Sequence, residues 1–115
     1  MRTARQERHL FLRLQGAAQT EWDGILKALP DELRAQLADV SVRFESRPTD
    51  AMANQGVAPD AFSMVDRHEK EIVLFLLNIF ARHGREPGDF REQTKRVLLR
   101  EMADLAGMEI EWGSE

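Results

Sequence analysis

The chain has 115 residues, 43% hydrophobic and 31% charged, with a formal net charge of −4. That is enough for one domain, 1–115, burying roughly two-thirds of its unfolded surface, while the acidic balance and the scatter of Lys and Arg along the sequence speak against a nucleic-acid partner. With no cysteine there is no disulfide framework, thiolate nucleophile or thiolate-held zinc, and no apolar run approaches the eighteen or so residues of a membrane span, so a cytoplasmic protein with no membrane partner is expected.

The N-terminal "MRTARQERHLFLRLQGAAQ" is basic with a short apolar patch, which Arg13 and Gln15 interrupt before a secretory segment could form. From His9 to Leu29 the apolar residues Leu10, Leu14, Trp22, Ile25, Leu26 and Leu29 keep helical spacing, weakened by Gly16 and Gly24. One or two helices are expected there, ending before Pro30. Pro30 suits a first helical turn, and Asp31 and Glu32 suit the positive end of a short helix running to about Ala38. "VSVRFES", Val40 to Ser46, alternates apolar and polar residues and predicts a half-buried strand. In "RPTDAMANQGVAPDAF", Thr49 or Asp50 could cap a single helical turn before Gly56 and Pro59 break the chain. The run "EIVLFLLNIFARHG" is the most apolar; its β-branched Ile72 and Val73 favour a strand through about Leu76, then a helical turn closed by Gly84.

The final helix is the clearest element. Asp89 and Glu92 have capping-box spacing, and Gly107 offers a left-handed stop. Phe90, Val97, Leu98, Met102 and Leu105 share one face. Glu101 falls inside that face, with Arg100 and Asp104 beside it; a carboxylate there must find a partner or face a cleft. The acidic tail from Glu109 to Glu115 carries Trp112 as an anchor for the core.

Four segments taken together resemble a known family. "LKALPDELRAQLADVSVRFESRP", "NQGVAPDAF", "IVLFLLNIF" and "FREQTKRVLLREMADLAGM" are similar, in order and spacing, to the small bacterial zincin-like proteins described as zinc metallopeptidases or minimal metalloproteases. The likeness runs from about Trp22 to Gly107 and leaves 1–19 outside, as an N-terminal extension or helix. It implies an α+β domain, with short strands packed against helices and the metal-binding helix at a cleft beside the sheet. The family site has the form H-E-x-x-H-x-x-G-x-x-D. Carried over, its first histidine is Arg100, its glutamate Glu101, its second histidine Asp104, its glycine Gly107, and its third ligand Ile110. Only Glu101 and Gly107 match, and "SMVDRHEKE" before the apolar run also departs from the pattern.

Zinc hydrolysis needs imidazole or anionic ligands, an open coordination position and a base for the bound water. Arg100 is a permanent cation without a lone pair. The expectation is a metal-free site in which Arg100 and Asp104, four residues apart, form an ion pair where zinc stood, with Glu101 left in an idle general-base position and no cofactor. The chain then reads as a degenerate metallopeptidase whose cleft binds a protein or peptide. Two alternatives stay open. One is a metal-dependent peptidase or hydrolase using Glu101 as base and Asp104 as ligand, with Glu109 and Glu111 completing an oxygen-rich set for magnesium, calcium or manganese. The other is a homo-oligomeric interaction protein, with "IVLFLLNIF" or the N-terminal helix as a homodimer seam. The remaining histidines carry less: "HEKEI", His68 to Ile72, reads as a charged turn, His83 as a helix C-terminal residue meeting free carbonyls, and His9 as part of a mobile segment. Neither a glycine-rich phosphate loop nor a Ser/His/Asp arrangement can be built.

Overall fold

A computed structural model describes residues 2–107, in which five helices and three strands form a small α+β domain. Helix α1, Ala4–Ala28, is a single element. Thr3 Oγ1 accepts the Gln6 N–H at 3.1 Å while Gln6 Oε1 accepts the Thr3 N–H at 2.8 Å, a reciprocal cap that starts the helix five residues before His9. Leu10, Leu14, Ala18, Trp22 and Ile25 line its buried stripe, and Gly16 and Gly24 lie outside that stripe, where they do not break it. The far end of α1 is closed by Arg34 of α2, Asp31–Gln36, whose guanidinium donates to the carbonyls of Leu26, Lys27 and Leu29 at 3.3, 3.4 and 3.0 Å. A cation at the negative end of the helix dipole satisfies carbonyls that have no helical partner.

The sheet has the order β1-β3-β2. β1, Ser41–Glu45, runs parallel to β3, Glu71–Phe75, with Val42 beside Ile72 and Phe44 beside Leu74. β2, Ser63–Asp66, pairs antiparallel with β3, Met64 opposite Val73. β2 is a strand that the sequence reading did not assign. Its turn, residues 67–70, is fixed by the Asp66 carboxylate accepting the Glu69 N–H at 3.1 Å and by Lys70 at φ 52°. The Lys70 ammonium reaches Asp39 Oδ2 at 2.8 Å, which ties the turn to the chain just before β1.

Alternation divides β3 between two faces. Ile72 and Leu74 face the cluster built by α1, α4 and α5, which Val42, Phe44, Phe62 and Val65 also join. Val73 and Phe75 face a smaller cluster with Met52 of α3, Asp50–Asn54, a helix capped by Thr49. β3 then passes without a loop into α4, Leu76–His83. Gly84 closes α4 at φ −101°; glycine is needed because a Cβ there would lie 2.4 Å from the Phe80 carbonyl oxygen.

Helix α5, Pro87–Ala106, begins three residues earlier than the sequence implied. Pro87 sets the first turn and the cap position Glu86 makes no side-chain hydrogen bond, so Asp89 lies inside the helix instead of capping it. Gly107 at φ 71° ends it in the left-handed conformation expected. Phe90, Thr94, Val97, Leu98 and Met102 are its buried residues. Thr94 is fully buried, and its hydroxyl has no hydrogen-bond partner.

Two outcomes follow from this packing. Thr94→Val keeps the shape and removes an unsatisfied hydroxyl, so it raises stability by about 1 kcal/mol, read as a melting temperature a few degrees higher; a lower melting temperature would show that the hydroxyl is bonded. The second concerns acid. A forked hydrogen bond from Arg47, 2.9 and 3.3 Å, holds the Glu7 carboxyl below its ordinary 4.5, and Lys70 with the Asp39 backbone N–H holds Asp39 below 3.8. Carboxyl groups depressed in the folded state contribute stability that is present above about pH 5 and lost as pH falls through their folded values. In a carboxyl-detected NMR titration Arg47→Ala returns Glu7 toward its ordinary value and leaves Asp39 where it was.

Candidate functional site

The second half of α5 lies against β2 and its turn, and this is where the carried-over motif falls. Glu101 projects from the apolar side of α5 with 14% of its side chain exposed. Its Oε2 accepts the Ser63 hydroxyl at 2.7 Å, a short charge-assisted hydrogen bond. One turn further on, Asp104 receives Arg67 from the hairpin, Nη2 lying 2.6 Å from Oδ1 and 2.7 Å from Oδ2. Arg100 is two-thirds exposed and its Nε lies 4.0 Å from Glu101 Oε1. The expected Arg100–Asp104 pair is therefore replaced: the hairpin brings Arg67 to Asp104, and Arg100 flanks Glu101.

The backbone explains this placement. Asn78 of α4 donates to the Pro59 and Ala61 carbonyls, both at 2.8 Å, and pins the segment entering β2. The Phe75 N–H donates to the Phe62 carbonyl at 2.9 Å, which sets the antiparallel register. Hydrogen-bonded pairs alternate along such a ladder, so Met64 and Asp66 bond to β3 and the peptide groups of Ser63 and Val65 turn to the outer side. Side chains alternate as well. Those of Ser63 and Val65 share the face that meets α5, and Val65 packs into the main core beside it.

The donors at this position do not fit a zinc ion. Arg100 is cationic, Asp104 is held through both oxygens by Arg67, and Glu101 is held by Ser63. Among the described residues no group of three or more histidine, aspartate and glutamate side chains is placed to hold a metal ion. Ile110, Glu109, Glu111 and Trp112 lie outside the described residues. The histidines are dispersed. His9 is exposed within α1, a helical position where a mobile segment was expected, and His68 is exposed in the hairpin turn. His83 differs from its expected role: its Nδ1 lies 3.3 Å from Asp89 Oδ2 and its ring meets the edge of Phe62 at 5.7 Å, so a carboxylate and an aromatic hold it instead of helix carbonyls.

Ser63 and Arg67 are the site residues that sequence reasoning missed. The signal was the alternation of "SMVD" followed by the turn "RHEK", which marks a hairpin arm ahead of β3. No protein-family model, curated protein or solved structure matches this chain.

The two bridges between α5 and β2 differ in value. Ser63→Ala leaves a largely buried carboxylate short of a donor and costs about 1–3 kcal/mol, whereas Arg67→Ala removes an exposed cation and costs less than about 1 kcal/mol. Urea unfolding of both variants gives the order, and a neutral Ser63→Ala would mean that water serves Glu101 equally well.

Proposed function

We propose that this chain is a zincin-like protein that has exchanged its zinc site for protein-internal contacts and retains the surface beside β2 to hold an extended peptide without cutting it. The observation that carries the reading is the pair of bridges, Ser63 to Glu101 and Arg67 to Asp104, at the positions where the family's helix would present its base and second ligand. Each bridge uses the carboxylate that a metal-based mechanism would need free. Arg100, at the first-ligand position, adds positive charge beside Glu101.

Support for a peptide comes from β2 itself. It is the outer strand of the sheet, and its Ser63 and Val65 peptide groups point away from β3. An incoming segment could add as a fourth strand through main-chain hydrogen bonds, with side-chain selection by the α5 surface next to it.

Elemental analysis and calorimetric titration with zinc, manganese and calcium test the loss of metal; no stoichiometric ion and no binding heat are expected. A tightly held ion per chain overturns the reading and points to a hydrolase using Glu101 and Asp104, which Glu101→Gln would then inactivate. Selection from a displayed peptide library tests the strand. Binders should be indifferent to chelator and recovered uncleaved. They should also be lost in Val65→Pro, which removes an outward N–H without breaking the β2–β3 ladder.

A further inference from the structure

The chain-average charge conceals one face of the molecule. Three adjoining clefts open around the Phe80 ring where α1, α4 and α5 meet. The largest, about 790 Å³, lies between Arg2, His9, Arg13 and Phe80. A second of about 430 Å³ is bordered by Arg2, Arg82 and Arg85, and a third of about 390 Å³ by Arg13, Arg85 and Arg91. Basic residues dispersed along the sequence are therefore gathered in space.

Of these arginines, Arg2 adds, behind Arg47, to the positive charge that lowers the Glu7 carboxyl. Arg2, Arg13, Arg82, Arg85 and Arg91 are all exposed, and none forms an ion pair among the described residues. Of the neighbouring acids, Glu7 is paired with Arg47, Asp89 lies in hydrogen-bond contact with His83, and Glu86 stands next to Arg85 in sequence. Gathering like charges costs stability through mutual repulsion, and an anionic ligand relieves that cost.

The chemistry of the face narrows the anion. Every lysine of the chain, Lys27, Lys70 and Lys95, lies elsewhere, so the cations bordering these clefts are guanidinium groups, whose planar fork matches phosphate oxygens in pairs. At the centre the Arg2 guanidinium stands 5.4 Å from the Phe80 centroid, giving a flat, partly apolar platform. Arg2 precedes the α1 cap and Arg13 lies nine residues into the helix, about 13 Å along its axis from Ala4, so the two guard a span beyond a single phosphate and within that of a short phosphodiester chain. Platform, guanidinium rim and length together are the features by which single strands are held, the phosphates on cations and a base on the aromatic.

We propose that this face binds single-stranded nucleic acid, with Arg82, Arg85 and Arg13 on the phosphates and a base over Arg2 and Phe80. The face is distinct from the Ser63–Glu101 site: Arg91 and Glu101 stand about 15 Å apart along α5. The test is fluorescence anisotropy of labelled ten-residue oligo-dT and oligo-U titrated with the whole chain at 50 and 200 mM salt. Saturable binding is expected, weakening with salt along a log–log slope of about −2 to −3, the value for three or four neutralised phosphates. The double variant Arg82→Gln/Arg85→Gln, and separately Arg13→Gln, should each weaken binding roughly tenfold with unchanged circular dichroism, while Lys27→Gln binds as the parent. No anisotropy change at 50 mM salt, or folded arginine variants that bind normally, would overturn the proposal. So would displacement by an equally long poly-glutamate as effective as by unlabelled oligonucleotide, which would assign the face to an acidic protein.

Discussion

β3 is buried on both faces, and most of the architecture follows from that. Ile72, Val73, Leu74 and Phe75 have no exposed surface, and the chain stays buried through Leu76 and Leu77 into α4. A strand apolar on both sides must be covered on both sides and paired along both edges. α1, α4 and α5 supply one layer, α3 and the segment before β2 supply the other, and β1 and β2 supply the edges. The parallel pairing of β1 with β3 forces the intervening chain to cross over, and that crossover carries α3 and β2. β2 thus reaches the outer edge beside α5 as a consequence of how β3 is satisfied.

That position creates the demand Glu101 has to meet. A carboxylate on a helix face turned toward a sheet loses much of its water, and desolvation without a partner is costly. Ser63 provides the hydroxyl because strand alternation turns it toward α5, while Met64 turns to the opposite cluster. Arg67 lies just past the strand, where the turn brings it over Asp104. The contacts are therefore register-dependent: a one-residue slip of β2 would present Met64 to Glu101 and dissolve both bridges.

Strong local patterns were legible in the sequence. The stripe from Leu10 to Ile25, the alternation Val42–Phe44, the Thr49 cap and the left-handed stop at Gly107 all have short-range causes, and each appears at or near its expected residues. What escaped was either short or non-local. β2 has four residues, each only partly buried, so its alternation carries little hydrophobic contrast. The unbroken α1 depends on Thr3 and Gln6, ahead of the apolar spacing, and on Arg34 from the next helix. Asp89 had the spacing of a cap, but Pro87 starts the helix first. Arg100 and Asp104 were correctly placed on neighbouring turns, yet helix spacing alone says nothing of Arg67, which arrives from 37 residues away.

The distribution of charge obeys the same distinction between chain and space. A net charge of −4 averages over regions with opposite character. The carboxylates of Glu7 and Asp39 are engaged by Arg47 and Lys70, and Glu45 and Glu71 share Arg43 on the sheet. Pairing of this kind removes acids and bases from the surface potential together. The arginines around Phe80 form no such pairs among the described residues: Arg2 precedes the α1 cap, Arg13 lies in α1, Arg82 ends α4 and Arg85 lies in the α4–α5 connection, where Glu86 is the one acid beside them in sequence. Electrostatic steering depends on such unpaired local groups and not on the sum over the chain. An acidic protein can therefore present one strongly cationic face, fixed here by the packing of α1 against α4 and α5.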